Sequence, residues 1–493
     1  MHATATVLPE FERDNPPAGV PRQLLIGGIW RDAAEMSRFK VIDPATGAAV
    51  AEVADASIED AIAAVDAAAA AAECWAETAP RRRAELLMSI FEAILAQHER
   101  LAQLISLENG KSIADARGEV SYAAEFFRWY AEEAVRAHGS LGLAPTGANR
   151  LLVDHRPIGI SVLVTPWNFP AAMATRKIAP ALAAGCTCIL KPAAETPLTA
   201  LALAEIMRQA GVPAGVVNVV ATTRAGPVVS AMLHDPRVRK LSFTGSTSVG
   251  RLLLREAADQ VISCSMELGG NAAFIVFDDA DLDAAVEGAM IAKMRNGGEA
   301  CTAANRFFAE RGIHDAFVDR LAERMGSLRV GPGRDEATQC GPLITVAAVE
   351  KVGRLVADAV SAGARVVTQA AAPAWPYYYP PTVMAEVPSS AAILREEIFG
   401  PVAAVVPFDG EDEVVALAND TEYGLVGYVY TGDFKRGLRV AGRLESGMVG
   451  LNRGLVSDPA APFGGVKQSG LGREGGSHGL LEFLETQYIA ASW

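Results

Sequence analysis

The chain has 493 residues, half of them apolar and 21% charged, the balance of a globular protein with room for about two to four domains. Lys+Arg 44 against Asp+Glu 58 leave a net charge of -14, which argues against a general polyanion binder, because non-specific nucleic-acid affinity needs clustered cations. Six cysteines do not make a disulfide framework, no run of about 18 apolar residues could span a membrane, and Met1 to Arg22 lacks the apolar region of a signal peptide, so a reducing cytoplasm is expected.

Residues 23–55 read as short strands and turns. Three helices are expected next. The first opens at Ser57, with Asp60 three residues on as in a capping box, and runs through alanine-rich sequence to about Glu77. The second covers about 81–109 and the third about 113–137, by apolar periodicity. From about Leu151 short apolar runs at 158–164, 188–190, 216–220 and 240–243 alternate with helical segments. Such alternation points to a parallel sheet with helices on both faces. A second α/β region begins near 272–277 and continues to about 470, and 487–490 reads as a last strand with no obvious local partner.

Cys186 and Cys188 form a C-x-C with no second ligand pair nearby, so a core strand is expected there rather than a metal site. The seven histidines are scattered and no His-Glu-x-x-His occurs, which argues against metal hydrolysis. A literal G-x-G-x-x-G spans Gly470 to Gly475, but it follows no apparent strand and the chain ends about 20 residues later, so a flexible turn is expected. Phe243-Thr244-Gly245-Ser246-Thr247-Ser248-Val249-Gly250 is better placed, after a strand and opening a helix over 251–258. Backbone N–H groups at that helix start can hold a pyrophosphate, although an ordinary tight turn would look the same. Lys191 ends an apolar strand, at the carboxyl edge where such sheets bind ligands; the alternative is a surface lysine. Cys301 lies among small residues after Gly297-Gly298, open to close approach; the alternative is a buried structural cysteine.

Together, Thr165-Pro166-Trp167-Asn168-Phe169-Pro170, Lys191-Pro192-Ala193, Phe243-Thr244-Gly245-Ser246-Thr247, Met266-Glu267-Leu268-Gly269-Gly270-Asn271, Cys301 and Glu397-Ile398-Phe399-Gly400-Pro401 resemble the aldehyde dehydrogenase superfamily from about residue 23 to 490. The resemblance implies an α/β fold with a Rossmann-like cofactor domain (1–137 and 157–265), a catalytic domain (266–470) and a small β oligomerisation element (138–156 and 471–493), assembled as a homodimer or homotetramer. Cys301 would attack the aldehyde, Asn168 and the Cys301 N–H would hold the oxyanion, and Glu267 would activate the water that hydrolyses the thioester. Trp167, Lys191, Ala194, Gly245, Ser246, Glu397 and Phe399 would line the nicotinamide cofactor site. Ala194, where NAD-preferring relatives often carry a glutamate, would leave room for the 2′-phosphate of NADP, with NAD tolerated; the adjacent Glu195 could undercut this if it turned inward.

Arg176, Arg295 and Ser457 match the places where the succinate-semialdehyde branch holds the far carboxylate of its substrate, which suits the planar donor fork of arginine. The chain departs from its relatives at Glu299, where glutamine is usual two residues before the nucleophile. That carboxylate would oppose an anionic substrate if it faced the pocket; otherwise it would point away or pair with Arg453. Ala303 removes a second cysteine with which some relatives can form a disulfide. The rival readings are oxidation of glutarate semialdehyde or another aldehyde and, in a different class, a non-catalytic protein that keeps the fold.

Overall fold

The side-chain oxygen of Ser57 accepts from the Asp60 N–H at 3.3 Å, and the Asp60 carboxylate accepts in return from the Ser57 N–H at 3.0 Å. Helix α1 (Ile58–Ala76) therefore starts where the Ser-x-x-Asp spacing indicates. In this computed structural model, residues 19–493 are described; residues 1–18, most of the stretch expected to lack a signal peptide, lie outside them. The single helix expected over 81–109 is two, α2 (Pro80–Ala96) and α3 (His98–Asn109), broken at Gln97. Ile94 and Leu101 are both fully buried on either side of the break, so the apolar spacing runs through it and conceals it. Gly110, at φ +93°, caps α3 in the left-handed conformation that glycine adopts without strain, and α4 (Ile113–Ala134) follows.

The first sheet has eight strands, of which five run parallel: Val217–Val219, Cys188–Lys191, Ile160–Val164, Val238–Thr244 and Ser263–Glu267. Helix α5 (Pro170–Ala184) connects the third of these to the second, and the helix Pro197–Gln209 connects the second to the first. The chain then returns through Ala225–Leu233 to the other side of Ile160–Val164. The order thus reverses between Ile160–Val164 and Val238–Thr244, which opens a crevice beyond their carboxyl ends. All five residues of Ile160–Val164 are buried, which explains an unbroken apolar run rather than an alternating one. Cys186 and Cys188 are buried in this core, Cys188 within its strand as expected.

The Gly470 motif departs from the reading given above. Gly470–Leu471 is an ordered edge strand, antiparallel to Ser263–Glu267, with Glu267 opposite Gly470. A Cβ at Gly470 would lie 1.9 Å from the Met266 carbonyl, so the glycine is there to let two backbones meet. A pairing partner about 200 residues away leaves no local trace in the sequence.

The second sheet has seven strands in the order Arg365–Gln369, Thr382–Ala385, Val402–Phe408, Ala304–Glu310, Ala272–Val276, Val426–Tyr430 and Met448–Leu451; all neighbours run parallel except the first pair. The chain crosses from one sheet to the other through Leu268-Gly269-Gly270-Asn271. The C-terminal strand Leu484–Ala491 pairs along its whole length with Arg150–Pro157, and Ser140–Leu143 completes this antiparallel three-stranded sheet. Among the described residues no helix is long and apolar enough to cross a membrane.

Candidate active site

Helix Leu282–Met294 stops at Arg295, and the chain turns through Asn296 (φ +54°), Gly297 (φ +59°) and Gly298 (φ +82°) before reaching Cys301 and the strand Ala304–Glu310. Left-handed backbone is uncommon for a residue with a Cβ, and asparagine tolerates it better than most. Asn296 is held there by its N–H to Asp115 Oδ2 at 3.2 Å, and by its side-chain Nδ2 to the carbonyls of Asn168 (2.9 Å) and Glu299 (3.0 Å). A Cβ at Gly298 would lie 2.3 Å from the Gly400 carbonyl, and one at Gly270 would lie 2.6 Å from that of Cys301. These two glycines let the Cys301 loop, the Glu397–Pro401 loop and the crossing between sheets press together.

Cys301 lines two cavities at once, a wide cleft on the first-sheet side and a small one behind it. Burial pushes its thiol up to about 12; the guanidinium groups of Arg176 and Arg295 oppose this, and Glu397 and Glu267 add to it. Asn168 lies in the turn after Ile160–Val164 and donates from Nδ2 to the Glu299 carbonyl at 3.0 Å. An amide NH₂ carries two donors, so one remains for the cleft that Asn168 also lines. Glu267, at the end of its strand, is buried but lines neither cavity. One carboxyl oxygen has no hydrogen-bond partner, and the other lies 2.7 Å from where a Cβ on Gly464 would be. Burial, then the nearby Glu474, holds the Glu267 carboxyl well above the usual range, against the cations of Lys177, Arg176 and Arg473.

The Glu299 carboxyl takes neither the inward course nor the pairing with Arg453 considered above. It is buried away from both cavities and accepts from the Ile344 N–H at 3.2 Å, and burial pushes it up to about 8. Arg453 instead donates to the Leu455 carbonyl at 2.7 Å. Burial favours the neutral acid, and the carboxyl is turned away from the pocket, so Glu299 does not oppose an anion there.

The small cavity gathers Arg176, Arg295, Ser457, Cys301, Thr302, Tyr122, Phe169, Met173 and Phe463. Arg176, on α5, donates to the Tyr122 hydroxyl at 2.7 Å and more weakly to Glu474 at 3.4 Å, with its guanidinium 4.1 Å above the Phe463 ring. Its Nε is buried and has no partner. Arg295 stacks 4.8 Å from the centre of the Phe169 ring and, among the described residues, forms no ion pair with a carboxylate. Two guanidinium groups with unspent donors share one apolar-walled space with the thiol. Sequence reasoning missed Tyr122, which faces both arginines from α4, and the tie of Lys177 to Glu474; neither carries a local signature.

The wide cleft, about 570 Å³, opens at the crevice between the two central strands and is lined by Trp167, Lys191, Ala194, Gly245, Ser246, Glu397 and Phe399 together with Asn168 and Cys301. Lys191 ends its strand nearly buried, so the surface-lysine alternative fails. Ser246 caps the helix Thr247–Ala258 by accepting from the Val249 N–H at 3.4 Å, and both residues line the cleft, which brings this helix start to it. A Cβ at Gly245 would lie 2.5 Å from the Phe243 ring, and the buried Thr244 hydroxyl has no partner. Trp167 and Phe399 meet edge to face at 5.4 Å. Glu195 lines the cleft as well, beside Ala194. A cationic side chain, a free helix N-terminus and an unpartnered hydroxyl fit a pyrophosphate-bearing dinucleotide.

The aldehyde dehydrogenase family profile matches residues 30–489. Succinate-semialdehyde dehydrogenase of Paenarthrobacter nicotinovorans is 56% identical over 441 residues, 89% of this chain and 98% of that protein. Glutarate-semialdehyde dehydrogenase of Pseudomonas putida is 47% identical over 471 residues, 96% of this chain and 98% of that one. The crystal structure of an NADP-dependent enzyme from E. coli superposes with a TM-score of 0.95 at 46% identity, covering 96% of this chain and 98% of that chain.

Proposed function

Since this chain belongs to the aldehyde dehydrogenase family, we propose that it oxidises a semialdehyde acid with NAD(P), succinate semialdehyde before glutarate semialdehyde, using Cys301 as nucleophile. The observation that carries the substrate is the small cavity, lined by Ser457, by Arg176, whose Nε has no partner, by Arg295, which forms no ion pair among the described residues, and by Cys301. A carboxylate bound there would meet two guanidinium groups, a contact stronger than one between neutral groups.

With the carboxylate so held, the aldehyde carbon is presented to Cys301. Cys301, its proton released to solvent, adds to it as the thiolate, and the free N–H of the Asn168 amide stabilises the oxyanion. When bound in the wide cleft, a nicotinamide would supply the hydride acceptor for a two-electron oxidation of the adduct, which leaves a thioester on Cys301. Water then attacks the thioester, Glu267 takes its proton, and the acid leaves as the thiol is restored. Lys191, Gly245 and the Ser246 helix start, with Trp167, Glu397 and Phe399, line the cleft that would hold the cofactor. Ala194 carries no carboxylate that would repel a 2′-phosphate, which favours NADP with NAD tolerated, and Glu195 lines the same cleft. Six free thiols suit a reducing cytoplasm.

Steady-state kinetics with NADP and NAD, each against succinate semialdehyde, glutarate semialdehyde, butanal and benzaldehyde, test this reading. The expected order of kcat/KM puts succinate semialdehyde with NADP first, about 10-fold or more above the uncharged aldehydes. Butanal or benzaldehyde at the same level would refute the carboxylate site and leave the thiol chemistry standing.

The three-stranded sheet leaves Leu141, Leu143, Tyr488 and Ile489 exposed with both edges open. Covering those edges and side chains is what a second copy of the chain would do, as a homodimer or homotetramer. Light scattering at micromolar concentration is expected to give a mass of two or four chains; a monomer contradicts it.

A further inference from the structure

Lys111 and Glu119 form a fully buried ion pair, Nζ to Oε2 at 2.6 Å, that lines neither cavity. Burying two charges is costly, and a pair that only filled space could give way to apolar side chains. Its other bonds lead to the reacting centre. Lys111 Nζ donates to the Asn168 carbonyl at 2.7 Å and stands 4.1 Å over the Phe169 ring. Glu119 Oε1 accepts from the N–H groups of Ala171 and Ala172, at 2.8 and 3.2 Å, in the first turn of α5. The same segment supplies Asn109, whose Nδ2 donates to the Trp167 carbonyl at 3.1 Å, and Asp115, which holds the N–H of Asn296. The Asn168 carbonyl also accepts from Asn296, so it is where this segment and the Cys301 loop meet.

We propose that Lys111 is a positioning residue: its ammonium, braced by Glu119, fixes the Asn168 backbone so that the free N–H of the Asn168 amide faces the oxyanion formed at Cys301. The proposal rests on the role given to Asn168 above. One N–H of that amide is committed to the Glu299 carbonyl, so the aim of the other follows the backbone that carries it. The leading charges on the Cys301 thiol are Arg176, Glu397, Glu267 and Arg295, while the bonds of Lys111 go to the Asn168 backbone and Glu119.

The double variant Lys111→Met/Glu119→Gln removes the donor and both charges of the pair, leaving the buried Asp115, on which Lys111 also acts, with its bonds to Ser112 and Asn296. Its kcat is expected to fall about 30-fold, the scale of an ångström-sized misplacement, with KM for aldehyde and for NADP within about twofold. The pH dependence of Cys301 alkylation stays where it was. Added to Asn168→Ala, the same pair of changes costs less than about threefold, because the amide it aims is gone. An unchanged kcat in the folded double variant, or a 30-fold loss that multiplies undiminished onto Asn168→Ala, overturns the proposal. Asn168→Ala alone separates the two readings: if it keeps full kcat, the oxyanion role itself fails. Glu119→Gln alone strips the brace from the Lys111 ammonium and is expected to lower kcat by about 3- to 10-fold with KM within about twofold, a loss that shrinks in the Asn168→Ala background. An unchanged kcat there overturns the proposal even if the double variant does not fold.

Discussion

Cys301→Ala is expected to lose aldehyde oxidation by about 10⁴-fold or more while NADP binding and thermal stability stay near those of the parent protein. Cys301 is the thiol that lines both the wide cleft and the arginine cavity, so no other described sulfur can replace it. Losing a covalent nucleophile removes a whole reaction path rather than one stabilising contact, which is why the loss exceeds that of a single hydrogen-bond donor. The change removes only a sulfur, and the loop keeps the bonds of Asn296 and the packing of Gly298. Because burial pushes the thiol up to about 12, alkylation of Cys301 in the free enzyme is expected to accelerate about tenfold per pH unit between pH 7 and 10, as thiolate accumulates. Substantial activity in Cys301→Ala would show that another group carries the chemistry, whereas a plateau of alkylation below pH 9 would show that the arginines outweigh burial at the thiol.

Glu267→Gln is expected to leave the first turnover and stop the following ones. Rapid mixing would show one equivalent of NADPH formed per active site, then a steady state about 10³-fold slower, the usual worth of a positioned general base. The parent carboxyl is held well above its ordinary range by burial, with Glu474 adding to this and Lys177 and Arg176 opposing it. A base works only when deprotonated, so thioester hydrolysis should rise with pH above the ordinary carboxylate range and level off once the carboxylate is formed. Glutamine cannot titrate, so the residual rate of the variant should be flat over that span. Loss of the first-turnover burst would move the role of Glu267 to the attack by Cys301.

Much of the site was legible because the chemistry and its backbone support are local in sequence. The strand that ends in Lys191 and the Ser246 helix start show in neighbours a few residues away, and the Gly-Gly pair marks the turn before Cys301 even though Gly400, Asp115 and Asn168 hold that turn in place. Helix α1 was legible for the same reason, since Ser57 and Asp60 bond each other. What was not legible depends on partners far along the chain. Gly470 reads as a flexible turn until Met266 lies against it. The break at Gln97 is hidden because apolar spacing continues across it. The direction of Glu299 is fixed by the Ile344 N–H, 45 residues on, and Lys111 reaches Asn168 across 57 residues. The arginines were found by likeness to a family pattern; their readiness for an anion follows only from the free Nε of Arg176 and the lack of a carboxylate at Arg295.

The most direct test of a semialdehyde-acid site is Arg295→Ala, measured as kcat/KM for succinate semialdehyde against butanal. Arg295 is the cleaner of the two arginines, because removing Arg176 would also release Tyr122 and weaken the hold on Glu474 near Glu267. Arg295 also eases ionisation of Cys301, but that effect falls on both aldehydes alike and cancels in the ratio. The expected result is a fall of about 30- to 100-fold for succinate semialdehyde, the worth of a charge-assisted contact, with butanal changed by less than about threefold. Equal losses for the two aldehydes would contradict a carboxylate held by Arg295.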